Sequence, residues 1–333
     1  MQTRRRALLI LAALGLLTLI SLLLALSLGN VPLGLREALA ALFGRGEGMA
    51  VEVVRSLRLP RALAGLACGG LLAVSGALLQ VLLRNPLADP YVLGISGGAS
   101  VGALLVMLLG LTGGIGVGAA AFCGALAAMF MVFGLAHGNG GWTQTRLLLT
   151  GVIVASGCGA AVALMLSIAP DYKLHGMLFW LMGDLSQAGN PAPGLGALAL
   201  IVLATLPFAR ELNLLARNAD LAQTLGVEIG RLRLAVYVIA SLATATAVTQ
   251  VGSVGFIGLI VPHLTRLAVG NDQRILLPAS ALAGGSLLMV ADTLARTLIA
   301  PQQLPVGVLT ALIGVPVFLF LLSRDPHASS AHS

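Results

Sequence analysis

RLPRALAGLACGGLLAVSGALLQVLLRNPLADPYVLGISGGAS, residues 58–100, has three parts, and their order decides the fold. From about 61 to 82 the chain is apolar for long enough to cross a bilayer as one helix, which takes about 20 residues. LLRNPLADP then breaks that helix with two prolines. The next apolar stretch, about 92–110, places Gly94, Gly98 and Gly102 at four-residue spacing. Those glycines make a flat face that a neighbouring helix can approach closely.

The rest of the chain repeats this texture. Of 333 residues, 58% are hydrophobic and 9% are charged, with a mean hydropathy of +1.00. A soluble domain carries about 25% charge. The apolar runs are unbroken rather than alternating with period 2, which excludes a barrel. We therefore expect an all-α polytopic membrane protein, a single transmembrane domain over 1–333. Its ten spans fall at about 7–28, 61–82, 92–110, 117–136, 147–168, 195–209, 234–250, 256–269, 276–298 and 306–322. The first span follows MQTRRR like a signal peptide, but it outruns an h-region of roughly 7–15 residues. VPLGLREALAALF after it reads as an interfacial helix. His175–Leu185 is apolar but short, as in a re-entrant or surface helix. The tail SRDPHASSAHS is polar.

Ten spans put both termini on one side. With the termini cytoplasmic, twelve of the 19 lysines and arginines lie inside, as the positive-inside rule requires. Arg55, Arg58 and Arg61 are the exception, grouped on the outside. The excess positive charge follows the loops and has no interleaved aromatics, so no nucleic-acid partner is expected. There is also an internal echo. RLPRALAG and RLRLAVYV each open a span, and each span leads into a broken segment, NPLADPYVLGI or GSVGFIGLIVP. The two copies would start on opposite sides of the membrane, and inverted repeats with interrupted helices mark transporters.

The largest polar interruption is RELNLLARNADLAQTLGVEIGRLR, residues 210–233. It holds seven charged residues where the whole chain has 31, 19 basic and 12 acidic. Within it ADLAQTLG reads as a short helix stopped by glycine, suited to a groove on a partner. ATP cannot be bound through a P-loop, because GxxxxGK[ST] is absent and the only lysine is Lys173. If transport is driven by ATP, the motor is another chain.

Other motifs are weaker. Gly94–Gly98 matches GxSxG, but an elbow serine needs a preceding strand and a nearby histidine. No catalytic residue is expected. Asp292 and Arg296, at i and i+4 in a span, are either a self-neutralising pair or a functional one. His263 sits at the end of a short span, in a packing, capping or substrate-contact position. Tyr172, His175 and Met177 could ligate a haem iron, or simply lie on a surface helix. Cys68, Cys123 and Cys158 read as small buried residues. No zinc or di-metal spacing occurs, and no cofactor is expected.

The blocks 58–100, GFIGLIVPHLTRL (255–267), LLPASALAGGSLLMVADTLAR (276–296) and LPVGVLTALIGVPVFLFLL (304–322) resemble the FecCD/BtuC-like permeases of bacterial ABC importers. The resemblance covers essentially the whole chain. It implies an inner-membrane homodimer of ten-helix subunits with the pathway along the twofold axis. Two ATPase subunits would dock below and a periplasmic binding protein above. The cargo would be a bulky metal chelate: a ferric siderophore or haem, with cobalamin as the alternative. The loop 210–233 looks like the coupling loop, with Asp220, Leu221, Ala222, Leu225 and Gly226 at the ATPase. Asp220 stands where the broader importer pattern has Glu. Arg58, Arg61 and Arg296 match positions that pair with glutamates of the binding protein. Asn85, Pro86 and Leu87 match the cytoplasmic gate. An ATP-independent secondary transporter would want buried carboxylates at mid-span, and Asp292 is the one candidate.

Overall fold

The computed structural model describes residues 2–31, 33–46, 48–111, 114–136 and 143–323. Residues 137–142, between the fourth and fifth expected spans, and the tail from Arg324 lie outside the described residues. Among the described residues there is no strand. The helices run α1 Gln2–Ser27, α2 Leu35–Leu42, α3 Gly48–Glu52, α4 Leu59–Leu82, α5 Ile95–Leu109, α6 Gly114–Ala136, α7 Gln144–Ile168 and α8 Asp171–Met182. They continue with α9 Ala192–Thr205, α10 Ala209–Arg217, α11 Ala219–Thr224, α12 Ile229–Val251, α13 Ile257–Val269, α14 Gln273–Thr297 and α15 Val306–Ser323.

Each apolar stretch expected to span is a helix. Six (α1, α4, α6, α7, α12 and α14) are long and apolar enough to cross a membrane unaided. α5, α13 and α15 are shorter, and α9 with α10 forms a pair bent by 70°. The His175–Leu185 stretch falls on α8, a 12-residue helix, and on the one-turn 3-10 helix Leu185–Gln187. VPLGLREALAALF contains α2, where Glu37 Oε2 accepts from Gly34 N at 3.0 Å and Ala38 and Ala41 are buried.

The core is built around α4, which is buried along most of its length and packs on α14, α12, α13 and α9. Small residues let these backbones meet. A Cβ on Gly69 would overlap the Gly284 carbonyl of α14, and a Cβ on Gly76 would overlap Gly258 of α13. α4 and α14 run antiparallel, because Arg61 meets Asp292 at one end while Gln80 and Gln273 line one cleft at the other. Gly98 and Gly102 do form the expected flat face, against Gly124 and Ala120 of α6. Gly94 does not share it: at φ +75° it caps the turn before α5. Outermost are α1 and α7, whose surfaces are largely exposed and apolar.

The two broken segments meet each other. Asp89 caps a 3-10 turn, Pro90–Leu93, by accepting from Tyr91 N at 2.7 Å. The Tyr91 hydroxyl in turn accepts from Val254 N at 2.6 Å. Ser96 Oγ donates to Ser253 Oγ at 3.2 Å. Pro90 also lies against Gly258. Backbone polar groups freed by irregular chain are thus satisfied inside the protein, as a membrane interior demands.

Candidate functional site

The loop 210–233 folds into two short helices. Asn218 caps α11: its Oδ1 accepts from Asp220 N at 2.8 Å and from Leu221 N at 3.4 Å. Gly226, at φ +84°, ends it in the left-handed region, and Val227 N donates back to Ala222 O at 3.0 Å. Asp220, Leu221, Leu225 and Gly226 are exposed, whereas Ala222 is fully buried. The outward reading of Ala222 is therefore corrected: its methyl packs under the helix. Leu221 is 47% exposed and Leu225 61% exposed, the two large apolar side chains that this loop leaves exposed. Behind them lies a groove of about 560 Å³ lined by Phe208, Arg210, Leu214, Leu225 and Gly226. Arg231 pairs with Glu228 at 2.8 Å in solvent.

Next to this loop is Arg84–Leu87. Arg84 has φ +49°, an uncommon conformation for a side-chain-bearing residue. Asn85 Oδ1 accepts from Leu87 N at 2.9 Å, a tight Asx turn. Asn85, Pro86 and Leu87 are all exposed. Further along, burial holds the Asp89 carboxyl up at about 6, against the opposing bond from Tyr91 N.

At the opposite end of α4 the arginines divide. Arg61 and Arg296 converge on Asp292, which is 2% exposed. Arg61 donates from Nε to Oδ1 and Oδ2 at 3.0 and 2.9 Å, and from Nη2 to Oδ1 at 2.8 Å. Its Nη1 donates to Gln303 Oε1 at 3.1 Å. Arg296 Nε lies 3.2 Å from Asp292 Oδ2 as an ion pair, without the alignment of a hydrogen bond. Arg296 Nη2 donates to Ala25 O at 3.2 Å. The i,i+4 pair is present, and Arg61 extends it to a triad in which one carboxylate serves two guanidiniums.

Arg58 stands apart and is 4% exposed. Its Nη1 donates to Leu26 O at 2.7 Å and Ser27 O at 3.0 Å, and its Nη2 to Val31 O. It closes the orphan carbonyls at the end of α1. The outward placement of Arg58 is corrected: Arg55 is the exposed member of the group.

The remaining candidates do not assemble. On α8, Tyr172 is 80% exposed and Met177 is 1% exposed, so Tyr172, His175 and Met177 do not converge. His175 stacks obliquely on Phe179, centroids 4.5 Å apart, and Lys173 Nζ donates to Leu108 O at 2.8 Å. Ser96 is spent on Ser253. His263 lies half-buried on α13. Cys68 is buried, but Cys123 faces outward and Cys158 is intermediate. Sequence reasoning missed Gln80, which accepts from Arg266 Nη2 at 2.9 Å and donates to Leu259 O at 3.1 Å. A glutamine in an apolar helix was the available signal.

A helical body with six helices long and apolar enough to cross a membrane, among the described residues, defines a polytopic membrane protein. The FecCD transport family model matches residues 17–324, and the chain belongs to that family. It is 44% identical over 280 residues to the cobalamin import system permease protein BtuC of Halobacterium salinarum, covering 82% of this chain and 73% of that one. It is 41% identical over 320 residues to the hemin transport system permease protein HmuU of Yersinia pestis, covering 92% and 94%. A solved structure described as an inward-facing conformation of a metal-chelate type ABC transporter superposes with a TM-score of 0.83. The two are 31% identical, and the match covers 96% of this chain and 99% of that one. The protein is a multi-pass permease subunit of an ABC importer of the metal-chelate, haem or cobalamin type.

Proposed function

We propose that this permease moves a bulky iron chelate, a ferric siderophore or haem, inward across the cytoplasmic membrane, with both termini in the cytoplasm. Two copies form the pathway between them. Two separate ATPase subunits drive it from the side of α11, and a binding protein delivers cargo at the end marked by Asp292. No covalent chemistry occurs on the chain. ATP binding and hydrolysis reorder the energies of two conformations. Asn85, Pro86 and Leu87 serve as the gate on the ATPase side.

The observation that carries this reading is the exposed apolar pair Leu221 and Leu225 on a capped helix stopped by Gly226. That surface is short and rigid, as a helix-in-groove contact requires. A Cβ on Gly226 meets nothing within 4 Å, so a large side chain there fills the partner's space rather than the permease's own. The left-handed φ adds a local strain of about 1–2 kcal/mol. Gly226→Trp is expected to leave the permease folded and to abolish substrate-stimulated ATP hydrolysis and uptake in proteoliposomes. Full stimulated hydrolysis in that variant would remove the coupling assignment.

Docking of the binding protein is assigned to Arg61, with Arg55 at the exposed rim; Arg58 and Arg296 are both buried and hold α1 from beneath. Guanidiniums at a membrane edge suit bidentate capture of carboxylates. Arg61→Gln leaves Asp292 paired with Arg296, and it should weaken binding of the cognate binding protein at least tenfold in a surface-binding assay. Unchanged affinity at physiological salt would count against this docking site. A second reading, cobalamin as cargo, is favoured by the 44% identity to the Halobacterium protein. Absorption spectra of the ligand that co-purifies with the binding protein separate haem, ferric siderophore and corrinoid.

A further inference from the structure

At the end of α4 away from Asp292, a cleft of about 560 Å³ opens between the Arg84–Leu87 turn, α10 and the ends of α13 and α14. Arg84, Arg217 and Arg266 all line it. None of the three takes part in an ion pair among the described residues. The one acidic residue lining it, Asp272, makes no ion pair with the three: its Oδ1 accepts from Asn213 Nδ2 at 3.0 Å and from Arg274 N at 3.1 Å, capping α14. Arg266 spends Nη2 on Gln80 and keeps the rest of its fork. Asn213 also accepts from Gln273 N at 2.9 Å, which stiffens the wall. Three cations against one carboxylate leave the pocket with a net positive charge, an arrangement completed by negative charge from outside.

We propose that this cleft is a second docking surface for the ATPase subunit and receives an acidic segment of it, beside the groove engaged by α11. The inference rests on the coupling reading above. Continuity favours the ATPase as occupant. Arg217 is the last residue of α10, and Asn218, which follows it, caps α11, so the cleft wall and the coupling helix are one piece of chain. A second cavity, of about 750 Å³, adjoins the cleft at Asn271 and Asp272 and is walled by Ala7, Leu8 and Leu11 of α1. The third wall is the turn that bears Asn85, Pro86 and Leu87. An acidic side chain seated here would therefore touch the coupling segment and the gate together.

The test is association of the ATPase subunit with the full-length permease in nanodiscs of phosphatidylcholine, across a range of ionic strengths. Arg84→Gln with Arg217→Gln should weaken association at least tenfold and flatten its salt dependence. Both side chains are exposed, so the variant should fold. Arg266→Gln, measured alone, should show the same flattening to a smaller degree. Wild-type affinity and an unchanged salt slope in the double variant would overturn the proposal. So would a loss that appears only in nanodiscs containing phosphatidylglycerol, which would make the cleft a lipid headgroup site. Gly226→Trp is run in parallel. If it still uncouples while the double variant binds normally, the cleft assignment fails and the coupling reading stands. If Gly226→Trp has no effect, the coupling reading itself has failed.

Discussion

Asp292→Ala is expected to cost about 3–5 kcal/mol of stability, the range for removing one partner of a buried ion pair. Asp292 is buried, and Arg61 and Arg296 both depend on it. Without the carboxylate, two guanidiniums remain in a site nearly closed to water, and Arg61 keeps only Gln303. The triad ties the start of α4 to the end of α14 and, through Arg296 and Ala25, to α1. The loss should appear as a lower melting temperature in detergent and a poor yield of monodisperse protein. Asp292→Asn keeps the shape and one acceptor and should fall between alanine and wild type. Pairing Asp292→Ala with Arg61→Leu removes one stranded cation and should recover part of the loss. An alanine variant as stable as wild type would show that water or lipid headgroups already neutralise the arginines.

Gly76→Leu should prevent folding outright. Pro262 has no N–H to give to the carbonyl four residues back, so Gly258 O is left without its helical partner. That oxygen lies against Gly76 of α4. A Cβ at position 76 would overlap it and would also sit 2.7 Å from Gly258 Cα. The obstacle is backbone, which cannot rotate aside. Leucine would force α4 and α13 apart and open the contact between the two broken segments. Even Gly76→Ala should cost about 1–3 kcal/mol by overpacking. Gly15 in α1 is the control: nothing lies within 4 Å of a Cβ there, and alanine should be neutral or gain about 1 kcal/mol of helix propensity. The yield of folded Gly76→Leu, and thermal unfolding of purified Gly76→Ala and Gly15→Ala, decide the matter. Equal melting temperatures for Gly76→Ala and Gly15→Ala would refute the close-approach argument.

The helices were legible because apolar length and proline breaks are written locally. The break at Asn85–Pro90 and the glycine stop at 226 follow from residue chemistry that needs no partner. The direction of a side chain is not local. Arg58 turns inward because the end of α1, some thirty residues earlier, leaves carbonyls unsatisfied there. Nothing within its own segment distinguishes it from Arg55. Ala222 was placed outward by motif and turns inward because the short α11 has to rest on something. Met177 and Tyr172 looked like neighbours along the chain, but helical geometry sends them to opposite sides of α8. The meeting of Tyr91 with Val254 joins segments more than 160 positions apart. The pattern of two similar breaks hinted at a relation between them without giving the contact.

The glycine contact between α4 and α14 has a mechanical consequence. Gly69 and Gly284 touch backbone to backbone, with the Cβ atoms of Ala73 and Leu288 beside them, so the two rods come closest there. Along α4 the contact lies about 12 Å from Arg61 and about 17 Å from Gln80, at 1.5 Å of rise per residue. The arms are unequal. Tilting of one rod on the other about that fulcrum carries the Gln80 end roughly 1.4 times as far as the Arg61 end. In such a tilt, a small displacement at the triad would be a larger one at the arginine cleft.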